Sequence, residues 1–305
     1  MPAWKQYFLA HTILEALEAL SASPSPARLV AGGTDLLLEL QQGHQPPVET
    51  LVDVSCIADL GCLEVRDGSL FIGAAVPVSQ VTESPLVLKH ALAVSEACGL
   101  IGGPQVRNTA TLGGNVAHAL PAADGMISLL ALDAQAEIAF KEGDSVMLRQ
   151  VPLLSLFRGP GKTTLDTTKE ILTGFYIALA RDGQASAFGR VMRPQGVALP
   201  ILNVAVWLER CETIISNIRV SVGPAGPVPQ RAVVIEEILK GAQFGGLQQG
   251  EILSRVGEVW RTGMHFRTSP QRATAGYRHH LSSALFERAL FTAWDRAASL
   301  TVEVS

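Results

Sequence analysis

Residues 101–124, IGGPQVRNTATLGGNVAHALPAAD, constrain this chain more than any other stretch. A Gly pair, Thr111, Asn115, Arg107 and Asp124 crowd into a short span ahead of an apolar run that reads as helix. A shorter Gly pair stands upstream, in Ala31-Gly32-Gly33-Thr34-Asp35. Where side chains are missing, backbone N–H groups can close around an anion. Gly32-Gly33-Thr34 and Thr111-x-Gly113-Gly114-Asn115 each offer such a bend, with hydroxyls from Thr34 and Thr111 and an amide from Asn115. A helix after each bend would add its positive end. Taken singly, either bend reads as an ordinary tight turn. Taken together, they fit two such turns or the cradle of one large anion, the pyrophosphate of a flavin dinucleotide, equally well.

Other anion motifs are set aside. No G-x-G-x-x-G occurs, so the dinucleotide fingerprint of the Rossmann fold is missing. Gly161-Lys162-Thr163-Thr164 imitates the end of a P-loop, but Leu156 stands where the motif requires Gly. Pro160 also removes an amide donor there, and the segment reads as a surface connection. No G-x-S-x-G or H-E-x-x-H is present, which fits a protein whose reactive centre is a bound cofactor. Asp124 reads either as a first-turn acid or as an acceptor for ligand hydroxyls. Arg107 reads as a structural cation pinning its loop or as a phosphate ligand, the structural role being favoured. His118, the only histidine near the second bend, reads as a hydrogen-bonded structural group. His279-His280 face different directions on a helix and make a poor metal site.

The 305 residues carry a formal charge of −4, with 48% hydrophobic, 17% charged and 6% aromatic residues. Such a length allows two or three cores, and neither a basic footprint nor a base-stacking surface points to nucleic acid. The start shows no basic n-region followed by a long apolar run, so no secretion signal is expected, and Val197–Leu208, broken by Pro200, is too short to span a membrane. A cytoplasmic protein is expected. Cys56, Cys62, Cys98 and Cys211 are scattered, so buried thiols are expected rather than a metal or iron–sulfur site.

Thr12-Ile13-Leu14-Glu15 predicts a capped helix ending before Pro24 and Pro26. Arg28–Ala31, the glycine turn, Leu36–Leu38 and Leu51–Val54 predict a small β-α-β-like module. Leu63–Arg66, Asp67-Gly68 and Leu70–Gly73 predict a hairpin. Ser84-Pro85 predicts one helix through Cys98. Helix over Met126–Leu132, strands over Gln135–Phe140, Leu148–Leu154 and Glu170–Leu179, and a loop over Phe157–Asp166 follow. Gly183–Ser186 is the expected boundary. Beyond it, Val197–Glu209 and Ile214–Gly223 read as paired strands, and Val233–Leu239, Glu251–Gly263 and Tyr277–Ala298 as helices.

AGGTDLL at 31–37, residues 101–124 and LLALDA at 129–134 resemble the flavoprotein (medium) subunits of molybdenum hydroxylases, the xanthine and carbon monoxide dehydrogenase family. Tyr7-Phe8, Leu51–Val54, Ile72-Gly73-Ala74, Glu170–Leu172, Val222-Gly223-Pro224 and Tyr277–Leu281 extend the resemblance over nearly the whole chain.

The resemblance implies an α+β protein. An FAD-binding domain of the vanillyl-alcohol-oxidase (PCMH) type would occupy residues 1–178, as two α/β subdomains of about 1–58 and 59–178. A C-terminal domain with a small antiparallel sheet and helices would occupy 184–305. Leu29, Val30, Ala31, Gly32, Gly33, Thr34, Asp35 and Leu36 would wrap the pyrophosphate with Thr111, Leu112, Gly113, Gly114 and Asn115. Asp124 would hold a polar part of FAD, and Ile101 and Leu172 would touch apolar parts. His118 counts among the cofactor-binding positions. Arg190 falls near where many relatives place a Lys beside the isoalloxazine, and Arg193-Pro194 where relatives often have two basic residues. A cation at 190 would favour reduced, anionic flavin.

The implied function is electron relay. A large partner subunit with a molybdenum cofactor would hydroxylate the substrate, and a small one with two [2Fe–2S] clusters would deliver electrons singly. FAD would take them one at a time and release two together, to NAD⁺, a quinone or another acceptor. The assembly would be a dimer of heterotrimers. A stand-alone flavin oxidase and a scaffold that has lost its cofactor are the competing readings.

Overall fold

The computed structural model describes residues 3–23, 26–193, 199–247, 250–270 and 272–299. The first layer runs β1 (Trp4–Leu9), α1 (Ile13–Ala22), β2 (Ala27–Val30), α2 (Leu36–Gln41) and β3 (Val48–Asp53). Its sheet is parallel in the order β1-β3-β2, with Phe8 and Leu29 on either side of Val52. Sequence patterning misses β1, because this edge strand is exposed along most of its length and shows no apolar alternation. Thr12 caps α1 as expected, its hydroxyl accepting the Glu15 N–H at 3.1 Å. The Glu15 carboxylate reaches back to the His11 N–H at 2.8 Å, one residue before the cap. Thr12→Ala is expected to cost about 1 kcal/mol, read as a slightly lower midpoint in a thermal melt. The predicted stop at Pro24 lies outside the described residues.

The second layer adds β4 (Leu63–Arg66), β5 (Ser69–Gly73), α3 (Val78–Glu83), α4 (Pro85–His90), α5 (Leu92–Gly99), α6 (Pro104–Arg107), α7 (Leu112–Ala117) and α8 (Asp124–Ala131). The strands β6 (Gln135–Glu142), β7 (Ser145–Pro152), β8 (Phe157–Gly159), β9 (Lys162–Thr163) and β10 (Glu170–Ala178) complete it. Its antiparallel sheet runs β4-β5-β10-β6-β7. Two expectations are corrected. The single helix from Ser84 to Cys98 breaks at Ala91, which is fully buried with φ −144° and ψ 46°. The loop over 157–166 contains the small β8–β9 hairpin, turning at Gly161 with φ +68°.

The C-terminal part consists of β11 (Gln184–Val191), β12 (Leu202–Cys211), β13 (Ile214–Gly223), β14 (Gln230–Arg231), α9 (Val233–Leu239), α10 (Phe244–Leu247), α11 (Glu251–Gly263) and α12 (Ala275–Ser299). Its sheet is antiparallel in chain order. Within the stretch expected as a boundary, Gly183 has φ +78° and β11 begins at Gln184. The strand expected from Val197 starts at Leu202, and Val197 itself lies outside the described residues. Trp260, Phe286 and Leu290 fill the core beneath this sheet, and Phe244 stacks on Trp294 at 4.0 Å.

The C-terminal sheet is tied to the second layer by polar bonds. The Ala93 N–H donates to Ser186 Oγ at 3.1 Å, and the Phe188 N–H donates to Glu96 at 2.8 Å. Arg296 on α12 pairs with the same Glu96. The cysteine expectation holds only for Cys98: Cys56 and Cys211 are exposed and Cys62 is half-buried, all four unpaired.

Candidate functional site

The first glycine bend joins β2 to α2. Gly33 sits at φ +67°, in the left-handed region that glycine adopts without strain. Among the described residues no hydrogen bond uses the N–H groups of Gly32, Gly33, Thr34 or Asp35. Four successive unspent donors in a half-buried bend form a concave anion nest.

The second bend is built differently. Thr111 caps α7, its hydroxyl oxygen accepting the Gly114 N–H at 3.0 Å. The Leu112 and Gly113 amides donate to Val76 and Ala74, and the Asn115 amide to the Thr111 carbonyl. Its backbone donors are therefore spent internally. What it keeps is the hydroxyl proton of the buried Thr111 and the Asn115 side chain, whose buried amide oxygen has no partner among the described residues and lies beside Gly125 of α8. The sequence could not separate the two bends, because both show the same Gly-Gly spelling.

Contact brings the bends together. A Cβ on Gly32 would lie 2.0 Å from the Thr109 carbonyl oxygen, so backbone passes against backbone there. His118, the C-cap of α7, reaches across to α2: Nε2 lies 3.1 Å from Glu39 Oε1, and Nδ1 lies 3.4 Å from Asp35 Oδ2. Asp35 raises the His118 pKa most, although Glu39 is nearer, and His118 lowers that of Asp35.

Asp124 opens α8 and is buried. Arg190 on β11 donates to Asp124 Oδ2 at 2.5 Å and to the Leu100 carbonyl at 2.8 Å, and both charged side chains are only 5% exposed. Asn203 on β12 donates to Asp124 Oδ1 at 2.7 Å. Burial pushes the Asp124 carboxyl up, and Arg190 and Asn203 pull against it without cancelling the shift. The cation expected at 190 is thus offset by a carboxylate. Sequence reasoning missed Asn203, although a lone amide within the apolar run Ile201–Leu208 was a usable signal.

The remaining positions divide. Ile101 is half-buried, and Arg107 pins its loop by donating to the Gly102 carbonyl at 2.8 Å. Leu112 and Leu172 lie inside the large core and Val30 is buried in a separate cluster with Leu40, Val48 and Leu51, whereas Leu29, Ala31 and Leu36 are half-buried around the first bend. Arg193 is exposed, and Pro194 lies outside the described residues. Among the described residues no group of three or more His, Cys, Asp or Glu could hold a metal ion. No helix among them is long and apolar enough to cross a membrane.

The chain is similar to known proteins over nearly its whole length. Residues 3–178 match the family described as the FAD binding domain in molybdopterin dehydrogenase. Residues 186–293 match the C-terminal domain of carbon monoxide dehydrogenase flavoprotein. The chain is 32% identical over 270 residues to the xanthine dehydrogenase FAD-binding subunit of Escherichia coli O157:H7, covering 86% of this chain and 90% of that one. It is 26% identical to the carbon monoxide dehydrogenase medium chain of Hydrogenophaga pseudoflava, covering 98% of this chain and 100% of that one. A solved structure of carbon monoxide dehydrogenase from the same organism superimposes with a TM-score of 0.87 at 26% identity, covering 97% of this chain and 99% of that one. A match that spans both halves, an FAD-binding domain followed by a C-terminal domain with an antiparallel sheet, places this chain in the family of FAD-binding medium subunits of the molybdenum hydroxylases, oxidoreductase subunits of the xanthine and carbon monoxide dehydrogenase kind.

Proposed function

We propose that this chain holds FAD between its two glycine bends and relays electrons within a molybdenum hydroxylase complex. The observation that carries the reading is the nest of unspent N–H groups at Gly32–Asp35, facing a second bend with a spare hydroxyl proton and an unpartnered amide. In this reading the nest donates to the pyrophosphate. Thr111 and Asn115 bond neighbouring hydroxyl or phosphate oxygens, and Ile101 meets an apolar part of the cofactor. When bound, FAD accepts electrons singly and passes them on in pairs. Asp124, Arg190 and Asn203 brace the wall where the C-terminal sheet closes on the cofactor domain.

In the same proposal the FAD-binding domain spans 1–178 and the C-terminal domain 184–305. A small [2Fe–2S] subunit supplies the electrons, a large molybdenum subunit binds substrate, and NAD⁺ or a quinone accepts. The names of the relatives support such an assembly, being those of a medium chain and of FAD-binding subunits. Four unpaired cysteines fit a reducing compartment, the cytoplasm.

The experiment separates relay from oxidase. The chain alone is expected to reduce dyes with NADH but to oxidise no carbon monoxide, purine, nicotinate or aldehyde. Co-expression with the two partners is expected to restore substrate oxidation. Substrate turnover by the isolated chain would overturn the relay reading.

A further inference from the structure

We infer that His118 is a protonation-dependent latch that holds the two halves of the FAD cradle together, so that FAD is released faster as pH rises. The inference rests on the cradle reading above and assigns His118 a different place in it. Both ring nitrogens already face carboxylates of α2, Nε2 at Glu39 and Nδ1 at Asp35. The ring is therefore committed to protein groups, and His118 is a positioning residue that acts through α2. Only the imidazolium form donates from both nitrogens at once. The neutral ring donates from one and sets a lone pair against the other carboxylate. Deprotonation thus turns one of the two cross-links from attraction to repulsion.

The mechanical consequence follows from where the contacts fall. Asp35 is the last residue of the N–H nest and the N-cap of α2, and Glu39 lies one turn on. His118 closes α7, the helix that Thr111 opens. Besides the close pass of Gly32 at Thr109, these are the side-chain ion pairs that span the two bends among the described residues. Loosening them lets the nest move away from Thr111 and Asn115.

Other charges do not replace the imidazolium. Asp124, on the helix packed against α7, is committed to Arg190 and Asn203. Glu170, on neighbouring β10, pairs with Arg149. Arg158 and Lys162, on the hairpin whose Gly161 N–H binds the Ala119 carbonyl, are exposed to water. On α2, Gln45 meets the far oxygen of Glu39 at 3.4 Å and carries no charge.

The sign is fixed by the direction of the shifts. His118 is raised above its ordinary 6.5, so its contribution is complete below that value and is lost as pH rises through the raised one. Asp35 is lowered, so its share persists down to acid pH below 3.8.

The test is the dissociation rate of FAD from the full-length chain between pH 6 and about 9.5, followed by the return of free-flavin fluorescence. The wild type is expected to release FAD about tenfold faster at the alkaline end, a modest factor because Asp35 is largely exposed. His118→Gln is expected to release it fast at every pH. His118→Lys, which keeps a cation between Asp35 and Glu39, is expected to release it slowly throughout. A wild-type rate that stays flat, or an alkaline rise that survives in His118→Gln, would overturn the latch while leaving the cradle intact. Failure of the wild type to take up FAD at any pH would overturn the cradle itself and the latch with it.

Discussion

Arg190→Met is expected to destabilise the chain by about 3–5 kcal/mol at neutral pH, measured by urea unfolding. The cost comes from what is left behind. Asp124 is 4% exposed and would keep one side-chain donor, Asn203. A buried carboxylate stripped of its guanidinium must either stay charged in a poor solvent or take up a proton. Its pKa is already pushed up by burial and would rise further. A carboxyl raised in the folded state penalises folding above that raised value, and the penalty fades as pH falls below it. The variant should therefore regain stability in acid relative to the wild type. Adding Asp124→Leu removes the stranded charge, and the double variant should recover most of the loss. Equal losses in the single and double variants would mean that Arg190 contributes packing alone.

Gly32→Ala should be nearly as damaging, at about 3 kcal/mol or more, and should abolish FAD binding. The added methyl would lie 2.0 Å from the Thr109 carbonyl oxygen and 2.9 Å from the Ala110 Cα. Both neighbours are backbone, so the bends must separate by roughly 1.5 Å to restore ordinary contact. That separation pulls the nest away from Thr111 and Asn115. Gly43→Ala is the control. Gly43 also sits in the left-handed region, at φ +71°, but has no atom within 4 Å of the added carbon. It should cost about 1 kcal/mol of backbone strain and leave FAD binding unchanged. Thermal melts and flavin absorbance separate the two outcomes.

The parts of this fold that sequence reveals are those governed by local rules. Thr12, the Asp67-Gly68 turn and the alternation in Gln135–Phe140 each encode their own element, and each forms near its expected place. Elements decided by distant partners are hidden. The strand β1 has no buried face, and it exists because β3 pairs with it. The break at Ala91 reflects burial of that residue in the core, which no helix signal announces. The site divides in the same way. The glycine bends are legible as spelling, but which bend retains its amide donors depends on the residue 74–76 backbone packed against the second one. Arg190 and Asp124 are far apart in sequence, so their neutralising contact, and the place of Asn203 beside it, emerge only when β11 and β12 close on α8.

The central claim is that unspent backbone donors at Gly32–Asp35, opposed by Thr111 and Asn115, hold one FAD. It is tested most directly by titrating FAD into the apo-chain while following flavin absorbance and the thermal midpoint. One yellow cofactor bound per chain, with a midpoint that climbs as free FAD exceeds its dissociation constant, reflecting a stabilisation of about 2.7 kcal/mol at a hundredfold excess, is the predicted result. A chain that stays colourless and melts at the same temperature at every FAD concentration would contradict it.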